Sequence, residues 1–273
     1  MKFNFLIPLK TTKVFDNSNW SEDKEKHELI KENLVRTLIS IEGAASQVSD
    51  KVEVNVFVSG HENPLTDMEK IWCYINIVFV GNDFPRPTEK SLYMNDKELK
   101  KTSAIKELKK TMEQNKEESS IVMLLDADDL VATDFFHTVL STFEEQNCDD
   151  IAMMSGYLCD KNNQAFGYLN GIDRIFYRNC GSSFISKVKL EDLEIGGFVS
   201  RLRNHVRFHE QAKDASRNVY YSFEPTVLYL VNHGENDVSE RHGEHHMINF
   251  VKQYLCSVEQ ISQVKEKFPS LVL

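Results

Sequence analysis

The residues Ile121-Val122-Met123-Leu124-Leu125 form an unbroken apolar run of strand length that stops abruptly at Asp126-Ala127-Asp128-Asp129. A strand that is apolar at every position has no face to give to water. It belongs in the middle of a sheet covered on both sides, as parallel strands of α/β folds are. Other apolar runs alternate with helical patterns and fit the same architecture. Residues 3–9, 52–58 and 74–80 read as strands, and Ile30, Leu34, Leu38 and Ile41 recur between the first two at helical spacing. Residues 95–114 read as an amphipathic helix with Leu99, Ile105, Leu108 and Met112 on its apolar side, whose lysines are expected to form mostly a solvated face. Thr133 is placed to cap a helix carrying Phe135, Phe136, Val139, Leu140 and Phe143, and residues 151–158 read as the next strand.

Beyond about residue 160 the pattern loosens. Residues 165–169 and 174–177 read as short β pieces, 218–223 and 226–231 as strands split by Pro225, and 247–258 as a closing helix. The expectation is one domain over residues 1–273, with a nucleotide-binding half up to about residue 160 and an acceptor-side half over 161–273.

The formal net charge of -10, without a dense Lys/Arg face, argues against a grip on nucleic acid phosphates. The apolar run near the N-terminus is too short for a signal sequence, and nothing approaches a membrane-spanning stretch of about 18 apolar residues. A soluble, cytoplasmic protein is expected. Five scattered cysteines without a CxxC pair speak for free thiols rather than a disulfide framework or a zinc cluster.

Ligands of open α/β sheets settle outside the carboxyl ends of the strands, which is where Asp126, Asp128 and Asp129 fall. Carboxylates this close repel one another, and a divalent cation shared with a diphosphate relieves that repulsion; Mn2+ or Mg2+ suits all-oxygen ligands. The plainer alternative is a solvated strand-to-helix turn. An EF-hand loop fails, because Leu130, Val131 and His137 stand where its ligands and glycine belong. An aspartyl-nucleophile phosphatase also places Asp-x-Asp after an apolar strand and is the chemical rival.

Several segments, in order along residues 3 to 240, resemble a family-2-type GT-A glycosyltransferase of the kind that builds bacterial capsular or lipopolysaccharide glycans. They are Phe5-Leu6-Ile7-Pro8-Leu9, Asn95-Asp96-Lys97 with Lys100-Lys101, Met123 to Leu130, Cys180-Gly181-Ser182-Ser183 and the stretch from Tyr229 to Ser239. The resemblance implies a GT-A-like (Rossmann-like) nucleotide-sugar-binding fold with a mostly parallel central sheet. It implies that Pro8 flanks the nucleobase, that Asp126 touches the nucleoside, that Asp128 binds metal and that His233 approaches metal or diphosphate. Lys97 and Lys101 fall where such enzymes carry basic residues near the nucleotide, and Asp83 is placed to meet a base edge. The implied reaction moves a sugar, from a UDP-sugar by preference, to a hydroxyl of a glycan or lipid-linked acceptor, with room for peripheral membrane contact.

Such a displacement needs a base for the acceptor hydroxyl. Glu191-Asp192, followed by Arg201-Leu202, resembles the family's acidic pair with a longer separation. His205, His209 and Glu210 form a second cluster, in reverse order to the His-Glu-x-x-His of a zinc hydrolase. Asp192, Glu210 and Glu191 are therefore the candidate bases. His242, His245 and His246 are expected on a polar surface. The non-enzymatic alternative is a sugar- or partner-binding module that kept this fold and lost turnover.

Overall fold

The computed structural model describes residues 1–10, 20–66, 72–87, 92–202, 205–231 and 244–271. The chain opens with strand β1 (Lys2–Pro8), helix α1 (Trp20–Ser46) and strands β2 (Glu53–Gly60) and β3 (Ile75–Gly81). Helix α2 (Tyr93–Asn115) then crosses to β4 (Ser119–Leu124), which β5 (Leu130–Val131) and helix α3 (Phe135–Gln146) follow. Next come β6 (Asp150–Met153), β7 (Gly156–Asp160), β8 (Ala165–Leu169), a 3-10 turn at Phe176–Arg178 and β9 (Phe184–Lys189). A second 3-10 turn (Leu190–Leu193) leads to α4 (Phe198–Arg201), a third 3-10 turn (His205–Arg207) and α5 (Phe208–Asp214). The described chain closes with β10 (Val219–Ser222), β11 (Val227–Val231), α6 (Glu244–Gln253) and α7 (Val258–Lys267).

Seven strands form the central sheet in the order β10-β6-β9-β4-β1-β2-β3. Every strand runs parallel except β9, which is antiparallel to both β4 and β6. The α/β class and mostly parallel sheet expected from the sequence are what the structure has. One row of the register, Tyr220, Ile151, Ile185, Met123, Phe5, Val56 and Ile77, crosses the whole sheet. All seven side chains face one core, where α1 and α3 cover them. Phe3, Phe5, Phe135 and Phe136 mesh there, with the Phe3 and Phe136 rings edge-on at 5.1 Å and 89°. Alternate residues, among them Leu6, Phe57, Val122 and Leu124, face α2, α4 and α5. That two-sided cover is why the 121–125 run is apolar throughout.

A smaller sheet, β5-β11-β7-β8, packs beside the first with Val264 and Phe268 of the C-terminal segment over it. It explains where the sequence reading differs from the structure. Residues 151–158 are not one strand, because the chain changes sheets at Met154 and Ser155. Gly156 makes the crossing: a Cβ there would come within 2.3 Å of the Phe176 ring. Residues 174–177 are not β, because they enter the 3-10 turn that delivers that ring. Thr133 does not cap α3; its N–H donates to the Lys267 carbonyl at 2.9 Å, and Asp134 precedes the helix instead. The closing helix is two, since Ser257 starts α7 by accepting from the Gln260 N–H while Gln260 returns a bond to the Ser257 N–H. Among the described residues no helix is long and apolar enough to cross a membrane.

The strand pair at the far edge, β6 and β10, depends on a buried ion pair. Arg217 reaches Asp150, which is fully buried, through Nε at 2.7 Å and Nη2 at 3.0 Å, and lies 4.4 Å over the Phe198 ring. Burial pushes the Asp150 carboxyl above its usual range, and the Arg217 contacts oppose that push. Arg217→Ala leaves this carboxylate without its cation and is expected to cost about 3–5 kcal/mol in chemical denaturation. The double variant Arg217→Ala/Asp150→Asn should recover much of that loss; a double variant as unstable as the single one would contradict this account.

Candidate active site

β4 ends at Leu124, and the Leu125 N–H makes the last bond to β1, to the Leu6 carbonyl at 3.1 Å. The chain must then leave the central sheet and reach β5 in the other one, so residues 126–129 form a turn closed by the Asp129 N–H on the Asp126 carbonyl at 3.2 Å. A single hydroxyl holds both ends of the turn. Ser182 Oγ accepts the Asp126 N–H at 2.8 Å and donates to Asp129 Oδ2. Cys180 Sγ lies 3.4 Å from the same carboxylate oxygen, and the Leu230 N–H of β11 donates to Oδ1 at 3.3 Å. Asp129 is fully buried. Burial pushes its carboxyl well above the usual range, and the charges of Asp128 and Asp126 push the same way. Asp129 thus holds the turn together rather than facing a ligand, and Asp126 and Asp128, both half-buried, are left at the rim.

The positive charge opposite comes from α2, whose N-terminal end reaches the carboxyl edge of the sheet. Lys97 Nζ lies 2.7 Å from Asp126 Oδ1. Lys101, one turn on and buried, pairs with Glu98 at 2.9 Å. Burial lowers the Lys101 ammonium, and the neighbouring charge of Lys97 adds to the lowering. Burial also raises the Asp126 carboxyl, but Lys97, Lys101 and His205 outweigh it and leave that group below its usual range. His205, in the turn before α5, faces the same cluster. Burial lowers its ring, with Asp126 opposing, while the ring donates to the Arg178 carbonyl. Gly181 lets the loop approach, because a Cβ there would stand 2.9 Å from Asp126 Oδ2.

Of the helix lysines expected to form mostly a wet face, Lys106 and Lys110 are exposed, whereas Lys100 and Lys101 are buried. Lys100 is fully buried, its ammonium donating to the Leu9 carbonyl at 2.8 Å and to Asp96 Oδ2 at 2.6 Å. Asp96 Oδ1 in turn meets His61 Nε2 at 3.1 Å. The network joins the ends of β1 and β2 to α2. Beside it lies a groove lined by Leu9, Lys10, His27, His61, Glu62 and Arg86, with Arg86 bonded to Glu62 at 2.6 Å.

The structure therefore gathers Asp126, Asp128, Lys97 and Lys101 on one rim, with Pro8, the buried last residue of β1, leading into the adjoining groove. Asp83 is exposed in the loop after β3 and does not line that groove; Arg86 of the same loop does. Glu191 and Asp192 follow β9 at the opposite edge of the sheet, where Lys189 pairs with Ser119 at the start of β4. Asp192 caps its own turn by accepting the Lys189 N–H at 2.8 Å, and lies 3.6 Å from Arg217. Glu210 is on α5, exposed and bonded to Arg207 at 2.9 Å. His245 and His246 are exposed on α6, whereas His233 and His242 lie outside the described residues. Neither the pairing of Lys97 with Asp126 nor the approach of His205 to it follows from the sequence. The four-residue spacing of Lys97 and Lys101 on one helix face was the available signal.

Among the described residues no three or more His, Cys, Asp or Glu side chains are grouped to hold a metal ion by themselves. Mg2+ commonly takes only one or two carboxylates and completes its shell with water and substrate phosphate oxygens. Asp128 and Asp126 at the rim fit that donor set.

No family model and no curated protein matches this sequence. Among solved structures, the chain is similar to residues 1–349 of TarS from S. aureus, at 11% identity and a TM-score of 0.45 over 84% of this chain and 60% of that one. The same fragment in complex with UDP-GlcNAc gives 12% identity and 0.47, covering 88% of this chain and 61% of that one. A protein assigned as a nucleotide-diphospho-sugar transferase from Desulfovibrio desulfuricans G20 gives 9% identity and 0.38, covering 93% and 96%. The chain spans about three-fifths of the TarS fragment.

Gly181→Ala should force the Asp126 carboxylate from its place at a modest overpacking cost of about 1–3 kcal/mol in stability. Urea denaturation measures that cost, and a Gly181→Ala protein as stable as the wild type would contradict the close approach of this loop to Asp126.

Proposed function

We propose that this chain is a glycosyltransferase that takes a sugar from a nucleoside-diphosphate donor, a UDP-sugar by preference, and transfers it to a hydroxyl of a glycan or lipid-linked acceptor. One observation carries the reading: Asp126 and Asp128 stand at the carboxyl end of the central strand, and the charges of Lys97, Lys101 and His205 bear on Asp126, with Lys97 2.7 Å from its Oδ1. Clustered carboxylates suit a cation, and the lysines beside them suit the phosphates such a cation would accompany.

Asp128 and Asp126 would hold Mn2+ or Mg2+, with His233 as a third candidate, and the ion would neutralise charge on the departing diphosphate. Lys97, on a long flexible stem, can turn from Asp126 to a phosphate oxygen while Lys101 adds positive potential behind it. The nucleoside is assigned to the surface beside Leu9, Lys10 and Arg86, into which the chain runs from Pro8. His205, kept neutral by burial and donating to Arg178, presents its other ring nitrogen as an acceptor for a sugar hydroxyl. Of the three candidate bases, Glu210 follows His205 by five residues, whereas Glu191 and Asp192 lie at the opposite edge of the sheet. Arg207 holds the Glu210 carboxyl below the usual range, so it is ionised at neutral pH. In the reaction Glu210 takes the acceptor proton, the acceptor oxygen bonds to the anomeric carbon, and the bond from that carbon to the diphosphate oxygen breaks.

UDP release from UDP-glucose and UDP-GlcNAc with Mn2+ tests this. Chelation should abolish it, and Glu210→Gln should slow transfer by roughly 10²–10⁴-fold while leaving UDP binding intact. Full transfer by the Glu210 variant, or turnover of a simple phosphate monoester in place of the UDP-sugars, would overturn the assignment.

A further inference from the structure

His61 follows directly after β2, and both nitrogens of its ring face oxygen atoms. Nε2 lies 3.1 Å from Asp96 Oδ1 on α2, and Nδ1 lies 3.3 Å from the Asn82 carbonyl in the loop after β3. The Asp96 carboxylate, whose Oδ2 takes the Lys100 ammonium at 2.6 Å, is an acceptor through both oxygens, and a carbonyl can only accept. A neutral imidazole carries one N–H and serves one of these partners, not both. Both contacts are hydrogen bonds only when the ring is an imidazolium.

The second proton ties the loop of residues 82–87 to the ends of β2 and α2. Asn82 starts that loop and is fixed to β2 by its N–H on the Gly60 carbonyl and its carboxamide on Ser59 Oγ, each at 3.0 Å. Its carbonyl sets the direction of the chain beyond, and the His61 ring holds that carbonyl. Phe84 then packs edge-on to the same ring, with centroids 4.9 Å apart and planes at 76°. Arg86 reaches Glu62 at 2.6 Å and lines the surface assigned to the nucleoside together with His61. The charged and titratable groups facing the ring are Asp96 and Lys100 from α2, Glu62 beside it, Arg86 from the loop, Lys10 from the end of β1 and His27 from α1. Lys100 is paired with Asp96 and Arg86 with Glu62, so these four bring no net charge to bear against a proton on the ring.

We infer that His61 is a positioning residue whose imidazolium clasps the 82–87 loop against the nucleoside surface, so that nucleotide binding is linked to a proton on this ring. Loss of the Nδ1 proton turns a hydrogen bond into a contact between two acceptors, the nitrogen lone pair and the Asn82 carbonyl. The Nε2–H bond to Asp96 stays. The ring therefore keeps its place on α2 and lets go of the loop. Once the loop is released, only a fraction of the molecules holds Arg86 in place, and the apparent affinity for a nucleotide falls by that fraction. The direction is fixed: the clasp is closed at lower pH and opens as the imidazolium gives up its proton. The word nucleotide rests on the transferase reading, whereas the clasp stands or falls without it.

The experiment is proton–nitrogen correlation NMR on the wild type with labelled histidine rings, followed from about pH 5 to about pH 8, with His61→Gln to identify the His61 signals. The backbone amides of Asp83, Phe84 and Arg86 are read in the same series. His61 should carry a proton on both nitrogens at the acid end and lose the one on Nδ1, with the loop amides shifting at the same midpoint. UDP affinity with Mn2+, measured by calorimetry, should favour the wild type over His61→Gln by about tenfold at the acid end, and the ratio should approach unity at the alkaline end. Taking the ratio removes effects common to both proteins, such as protonation of the diphosphate. A ring that is neutral throughout or keeps its last proton on Nδ1, loop amides that do not follow the ring, or a ratio that does not change with pH would overturn the clasp. A ring and loop that titrate together, with no UDP binding by either protein at any pH, would keep the clasp and remove the nucleotide-sugar reading instead.

Discussion

The buried carboxyl of Asp129 is the point on which the site depends. It sits where the chain leaves the central sheet, and it collects the Ser182 hydroxyl from the loop before β9 and the Leu230 N–H from β11. One side chain thus ties together the end of the parallel central strand, the single antiparallel strand and the second sheet. A buried carboxyl is costly unless its oxygens are bonded, and both oxygens of Asp129 are. The repulsion among three neighbouring carboxylates is divided in consequence: Asp129 takes the structural place, and Asp126 and Asp128 keep the rim.

The second constraint is the crossover helix α2. Its apolar residues Ile105, Leu108 and Met112 cover the sheet, and its first turns carry charge to the carboxyl edge. Lys100 is spent on the fold, bonded to the Leu9 carbonyl and Asp96, whereas Lys97 faces Asp126. Two lysines three residues apart lie only about 60° apart around the helix, and that offset is enough to put Lys100 against the sheet and leave Lys97 at the rim.

Much of the central sheet was legible in the sequence because its signals are local. A strand covered on both faces must be apolar at each position, as residues 121–125 are, and a helix over a sheet must repeat its apolar residues as Leu34, Leu38 and Ile41 do. The acidic turn was legible for the same reason. What could not be read depends on distant partners. β9 carries Ser186 and Lys187 among its apolar residues, and only its place between β4 and β6 makes it a strand. The break at Met154 and Ser155 follows from the second sheet, and the requirement for glycine at 156 follows from a phenylalanine twenty residues on. Glu191 and Asp192 carried the right residue types for a base, but β9 runs antiparallel and delivers them to the wrong edge for contact with Asp126. His205 and Lys97 reach the carboxylates from separate elements, a meeting that spacing along the chain does not encode.

The central claim is that Asp126 and Asp128 form a cation-dependent site for a nucleoside diphosphate. The most direct measurement is the melting temperature of the wild type and of Asp128→Ala with UDP, Mn2+ and both together, since a ligand that binds only the folded chain raises it by mass action. The account predicts a rise with UDP and Mn2+ together that exceeds the two separate effects, and its loss in Asp128→Ala. Equal shifts in the two proteins, or none with any combination, would contradict it.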